Sequence, residues 1–197
     1  MIEIEKQILK LISPIPCSVN HYTKPRSFIS HGKAMVTMYE TAEAKAYKKA
    51  FCKYVKDEVK KQKFNIIPNK TQHWYIDCVF YFDRIDRDAN NYFKLLLDSI
   101  TETQSVWIDD NTTCERVNAI YYDNKNPHIE LTIYPVDYIG IFDNQEQLDN
   151  FESNCIHCKR YKKGKCSILQ KAIEGRIQEE IVDFNCIKNK IIKESNN

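Results

Sequence analysis

Residues 73–82, HWYIDCVFYF, alternate in character, with Trp74, Ile76, Cys78 and Phe80 on one side, and a period of two fits a strand with one buried face. Beyond it the period changes. Phe93, Leu96, Leu97 and Ile100 recur at helical spacing, which predicts a helix over residues 89–100. The intervening RIDRDANN therefore falls where a strand hands over to a helix. A one-faced strand followed at once by an amphipathic helix restricts the chain to folds that stack helices on a sheet.

The flanking sequence extends this pattern. Residues 6–15 read as a first strand closed by Pro14 and Pro16, followed by a polar loop, CSVNHYTKPRSF. Residues 40–64 read as a long helix with Thr41 as N-cap and Ala44, Tyr47, Phe51, Tyr54, Val55 and Val59 on its apolar face. After the IIPNK break and the 73–100 pair, SVWI reads as a short strand and TTCERVNAIYY as another. DNKNP then turns the chain so that HIELTIYPV returns as its partner strand. The expected class is α+β, a small mixed sheet with helices packed on one face. A composition change at IFDNQEQLDNFESN predicts a main domain over 1–142 and a Cys-rich, helical extension over 143–197.

With 43% apolar residues in 197, the chain can bury an ordinary core. No run of about 18 apolar residues is present, which argues against a membrane span. Charge is mixed into the apolar positions of MIEIEKQILKLISPIP, unlike a signal peptide, so a cytoplasmic location is expected. In that compartment the eight cysteines are thiols or metal ligands. The net charge of +2 conceals an uneven distribution: residues 1–70 carry a net +8, 71–150 a net −10 and 151–197 a net +4. An acidic centre between basic ends suits a cation site flanked by surfaces for a polyanion.

Phosphodiester hydrolysis needs an activated water, neutralised phosphate charge and a stabilised leaving oxygen, and Mg²⁺ or Mn²⁺ on carboxylates can supply all three. Asp86, Asp88 and Asn90 stand at alternate positions before the helix, whose N-terminus favours anions. Lys94 follows Asn90 and Asn91 by one turn and can reach a phosphate, while Asp109 and Asp110 can close the site from the far side. Taken singly, each aspartate also reads as a cap or a turn residue.

The order of these residues is more specific. RDANNYFKLLLDSI followed by VWIDD resembles the central motif of the RusA-type Holliday junction resolvases. PIPCSVNHYTKPR and TAEAKAYKKAF are similar to that family's early N-x-x-Y segment and first helix. The resemblance runs from about residue 12 to residue 135. It implies a homodimeric, Mg²⁺-dependent endonuclease that nicks four-way DNA junctions symmetrically in recombination and repair. It further implies that Asp88 and Asp110 are metal ligands, that Lys94 is the essential lysine and that Asn91 is the motif asparagine. Asp98 and Asp109 match acidic positions of a more structural kind. Asn90 departs from the pattern, which has aspartate there. A neutral carbonyl oxygen weakens metal binding unless Asp86 compensates, and this keeps open a DNA-binding protein that has lost catalysis.

In the early loop, Asn20, Tyr22, Lys24 and Arg26 mix hydrogen-bonding, stacking and cationic groups suited to DNA, and Arg87 and Asn91 join them beside the acidic residues. His21, standing alone, is not read as a ligand or a base. The extension spaces Cys155, Cys158, Cys166 and Cys186 as C-x2-C-x7-C-x19-C, which matches one tetrahedral Zn²⁺ or, equally, four reduced thiols. His157 or a symmetry mate's cysteine is an alternative fourth ligand. Residues 167–184 read as helical, and a straight helix of that length, roughly 27 Å, separates Cys166 from Cys186. One shared ion therefore requires a break near Gly175. With Lys159, Arg160, Lys162, Lys163 and Lys165, the extension reads as a second DNA contact or a docking module for a protein partner.

Overall fold

The computed structural model describes residues 7–68 and 71–190; Lys6, expected to open the first strand, and Asn69 and Lys70 of the IIPNK break lie outside them. The chain divides into two units, Met1–Val136 and Asp137–Asn197. The first contains β1 (Leu9–Pro14), α1 (Val19–Tyr22), β2 (Thr23–Ser30), β3 (Lys33–Glu40), α2 (Ala42–Lys61), β4 (His73–Phe82), α3 (Phe93–Thr103), β5 (Thr113–Tyr122) and β6 (His128–Val136). Short 3-10 turns at Ala89–Asn91 and Asp110–Thr112 precede α3 and β5.

β4 is the strand on which this unit is assembled. Its alternation is strict, and Trp74, Ile76, Cys78, Phe80 and Phe82 are all buried. The sheet order is β1-β6-β4-β5, with β4 and β5 parallel and the remaining pairs antiparallel. Register brings apolar residues into rows on the buried face: Leu9, Ile133 and Ile76 form one, and Leu11, Leu131 and Cys78 the next. Phe51 and Val55 of α2 and Leu96, Leu97 and Ile100 of α3 pack against these rows. The mixed α+β class expected from the sequence is what forms.

Both outer strands have their pairing edges occupied or interrupted. On β1, the Lys10 N–H donates to Gln62 Oε1 at 2.9 Å, Gln62 Nε2 donates to the Lys10 carbonyl, and the Ile12 N–H donates to the Tyr54 hydroxyl at 3.0 Å. β5 pairs with β4 through a bulge: Cys78 faces Val117 and Val79 faces Ala119, so Asn118 is the extra residue.

Three details differ from the sequence reading. SVWI forms no strand; Val106 and Trp107 are core residues on an irregular return, with Trp107 Nε1 donating to Thr101 Oγ1. β6 does not pair with β5. Both lie against β4, because β6 needs the central strand to bury Ile129, Leu131 and Ile133, whereas no β5 residue is buried. The polar loop after Pro16 becomes α1 and the β2–β3 hairpin. Its turn, Ser30-His31-Gly32-Lys33, places His31 and Gly32 at φ 49° and 74°, the two-residue turn that matches strand twist and that glycine permits without cost.

The second unit contains α4 (Gln145–Ile156), α5 (Ser167–Ile173), β7 (Ile181–Val182) and β8 (Asn185–Cys186). Asn144 caps α4 by accepting from the Gln147 N–H at 2.9 Å. The helix expected over 167–184 stops at Ile173, turns at Gly175 and gives way to the β7–β8 hairpin. A small cluster of Phe142, Leu148, Phe151, Cys155, Leu169 and Ala172 forms its interior.

The core of the first unit should be most sensitive at the middle of β4. Phe80→Ala should lower the unfolding free energy by about 3–5 kcal/mol in urea titrations followed by circular dichroism, against about 1 kcal/mol for removing the α2 cap with Thr41→Ala.

Candidate active site

α3 presents its outer face to two neighbours, α1 and the 3-10 turn before β5. Lys94 Nζ donates to Asp98 Oδ1 at 2.7 Å, one helical turn along. The other oxygen of Asp98 accepts from the Tyr22 hydroxyl at 2.8 Å. Asp98 is thus held from both sides. Its hydrogen bond to Lys94, with the charges of Asp98, Asp110 and Asp109, raises the Lys94 pKa against partial burial, so the ammonium stays protonated at neutral pH.

Asp110 begins the 3-10 turn and is half-buried. Burial pushes its carboxyl up, and Asp98 and Asp109 push in the same direction while Lys94 opposes them. Asp109 caps the turn, its carboxylate accepting from the Asn111 N–H at 3.0 Å. Lys94, Asp98, Asp109 and Asp110 therefore form one electrostatic group contributed by a helix and the turn beside it.

The residues preceding α3 are held by local partners. Asp88 caps the Ala89–Asn91 turn and accepts from the Asn90 N–H at 3.0 Å. Asp86 is exposed and pairs with Arg84 at 2.7 Å. Asn90 is exposed and Asn91 half-buried. Arg87 donates to both Asp83 oxygens, at 3.0 and 3.2 Å, and to the Tyr92 hydroxyl. Among the described residues, no group of three or more His, Cys, Asp or Glu side chains is arranged to hold a metal ion.

Tyr22 departs from the expected exposed DNA contact. It is 8% exposed, and its hydroxyl is committed to Asp98 and, at 3.1 Å, to Glu40. Asn20, Lys24 and Arg26 remain exposed. Glu40 and Lys48, absent from the sequence reading, complete the support: Lys48 Nζ reaches Glu40 and Glu102 at 2.9 Å each. The only sequence signal for this pair was a lysine on a helix otherwise lined by lysines.

The family profile of Endodeoxyribonuclease RusA matches residues 18–134. The chain belongs to the RusA endodeoxyribonuclease family. That span runs from α1 through β6 and includes Lys94, Asp98, Asp110 and the two turns. Members of the family are endonucleases that act on four-way DNA junctions. No curated protein matches the chain. No helix among the described residues is long and apolar enough to cross a membrane.

The support beneath the site carries a pH signature. The hydrogen bond from Lys48 is the main cause holding the Glu40 carboxyl below its ordinary range. A depressed carboxyl stabilises the fold above its unfolded pKa, about 4.3, and that contribution is lost as pH falls through the lower folded value. Lys48→Met should therefore lower the urea midpoint at pH 7, with the difference from the unsubstituted protein shrinking below about pH 4. An equal deficit at acidic pH would assign the loss to packing of the lysine stem.

Proposed function

We propose that this protein is a homodimeric, Mg²⁺- or Mn²⁺-dependent endonuclease that resolves four-way DNA junctions in recombination or repair. The observation that carries the reading is the Lys94–Asp98 pair set against Asp109 and Asp110, within the span of the family match. The donor chemistry suits a hard cation. The acidic groups offer oxygen only, and Asp110 is an anion made costly by burial and by two like charges, a cost that a bound cation would relieve. Asp88 and Asp110 are the proposed ligands, with the Asn90 carbonyl oxygen as a weaker third and Asp86 as the carboxylate that substitutes for the missing aspartate. When bound, the ion supplies Lewis acidity and lowers the cost of forming a nucleophile from water.

The remaining work is done by the chain's own side chains. Lys94, kept charged by Asp98, neutralises phosphate charge as it builds on the non-bridging and leaving oxygens. Asp98 is a positioning residue, since with one oxygen on Lys94 and the other on Tyr22 it fixes where the ammonium points. Because Lys94 is already protonated, it acts as a fixed cation and does not abstract a proton from water. Asn20, Lys24, Arg26, Arg87 and Asn91 are the proposed DNA contacts, Arg87 through whatever donor capacity its pairing with Asp83 leaves.

The β2–β3 hairpin supports the dimer. Cross-strand register divides its side chains into two faces. One carries Pro25, Ser27, Ile29, Ala34, Val36 and Met38, with its one charge, Glu40, at the base of the hairpin opposite Thr23; the other carries Lys24, Arg26 and Lys33 among Phe28, Met35 and Tyr39. Ile29 is 80% exposed and Val36 67% exposed, apolar area that a second copy would cover while the charged face meets phosphate. Two nicks related by a two-fold axis require two such sites.

Asn90 favours one second reading, a junction-binding protein without cleavage, because it removes an anion from the proposed ligand set. Incubation of the protein with a labelled four-way junction, with and without Mg²⁺ or Mn²⁺, tests the two. Symmetric metal-dependent nicks are expected; binding with no product would establish the second reading. Asp88→Asn, Asp110→Asn and Lys94→Ala should each lower the nicking rate at least about 100-fold while junction binding persists in gel-shift assays. Asn90→Asp should lower the metal concentration needed for half-maximal rate. For the assembly, light scattering should give a dimer, and Val36→Asp should shift it to monomer.

A further inference from the structure

The four cysteines of the second unit come from four separate local structures. Cys155 lies in the last turn of α4, Cys158 in the turn that follows it, Cys166 at the start of α5 and Cys186 on β8. The fold gathers them. Cys155, Cys166 and Cys186 belong to one apolar cluster with Phe142, Phe151 and Leu169, and Cys155 is within electrostatic reach of each of the other three sulfurs. Cys155 and Cys158 are both buried.

The surroundings of Cys158 show what kind of group its sulfur is set to become. The backbone N–H of Lys190 donates to Sγ at 3.3 Å, and although burial opposes a charge there, the nearby peptide groups of Arg160 and Tyr161 join Lys190 in holding the thiol below its ordinary range. An uncharged thiol is a weak acceptor, so a backbone N–H aimed at a buried sulfur suits a thiolate better than a thiol. Seven cations, Lys159, Arg160, Lys162, Lys163, Lys165, Lys188 and Lys190, lie within a few residues of the cysteines in sequence, enough to offset the −2 charge of one divalent ion on four thiolates.

The unit also needs a cross-link. Its described apolar interior is eight buried residues, six of them in one cluster, its strands are two residues long and α5 has seven, too little to hold a unit of this size by apolar burial alone. The described cysteines are all free thiols, so no disulfide supplies the link. Two tight turns carry the later sulfurs. Lys162 bridges Lys165 across Lys163 and Gly164, at φ 52° and 73°, directly before Cys166, and Gly164 takes this conformation without strain. Ile181 pairs with Cys186 across Asp183 and Phe184, both at positive φ.

We propose that Cys155, Cys158, Cys166 and Cys186 bind one structural Zn²⁺ as four thiolates. As they stand, no three of these thiols are drawn to a common point at ligand distance. Closing the site requires side-chain rotation and approach of the two turns, with the four S–H protons released to solvent as the Zn–S bonds form. The chemistry of a tetrahedral all-sulfur set selects Zn²⁺ over the hard cation proposed for the acidic site. The assignment is independent of the nuclease reading.

The test is metal analysis of the full chain purified without added metal or chelator. About one zinc per chain is expected, released by a mercurial thiol reagent, with Cys155→Ser, Cys158→Ser, Cys166→Ser and Cys186→Ser each losing most of it. Cys114→Ser, on β5 of the other unit, should retain the full amount. Since a serine variant could lose zinc by unfolding, Co²⁺ substitution of the unaltered chain provides a second readout: intense sulfur-to-cobalt charge-transfer bands with tetrahedral ligand-field absorption. A zinc-free chain with all eight thiols reactive, a disulfide between any two of the four, iron with labile sulfide, or a cobalt spectrum lacking sulfur ligation would each overturn the proposal.

Discussion

One-sided burial of a single strand organises the first unit. Residues 73–82 place Trp74, Ile76, Cys78, Phe80 and Phe82 on one face, and a slip of one residue in pairing would send all five to the other face. That requirement sets the register with β6, whose Ile129, Leu131 and Ile133 fall beside them, and through β6 the register of β1. The helices follow, since α2 and α3 have only that face to cover. The strand-to-helix handover and the return to β5, which carry the acidic residues, are consequences of connecting this strand to its covering helix and then to its parallel neighbour.

The candidate site builds charge on that support. A buried tyrosine, an acidic residue and a lysine are linked in series, Tyr22 to Asp98 to Lys94, so the position of a surface cation depends on a side chain of α1 that packs with Ala44 of α2 and Leu95 of α3. Lys48 and Glu40 extend the series beneath. Partial burial is what makes these links matter, since fully exposed pairs of the same residues contribute little. Asp110 shows the opposite arrangement, an acid whose charge is opposed first by burial and then by Asp98 and Asp109, with Lys94 only partly offsetting them.

Much of this was legible in the sequence, for physical reasons. Alternation and helical period identified β4, α2 and α3, and Thr41 was recognisable as a cap by residue type and position; its hydroxyl accepts from the Ala44 N–H. The β2–β3 hairpin was missed because both its faces are open to solvent, so no burial pattern marks it, and its one strong signal, His31-Gly32, lacked flanking alternation. The pairing of β6 was misread because sequence adjacency favours a hairpin, whereas burial favours the central strand. Tyr22 looked like a loop residue because nothing local distinguishes a tyrosine facing water from one whose hydroxyl meets Asp98, 76 residues away.

The two edges of the sheet bear on how this protein can assemble. Gln62 and Tyr54 occupy backbone groups on β1 that an incoming strand would use, and the bulge at Asn118 breaks the ladder spacing on β5. Strand addition from another molecule is therefore blocked on one side and mismatched on the other. Such a sheet resists growing into a polymer by its strands, which leaves side-chain contacts, of the kind that close on themselves, as the route open to association.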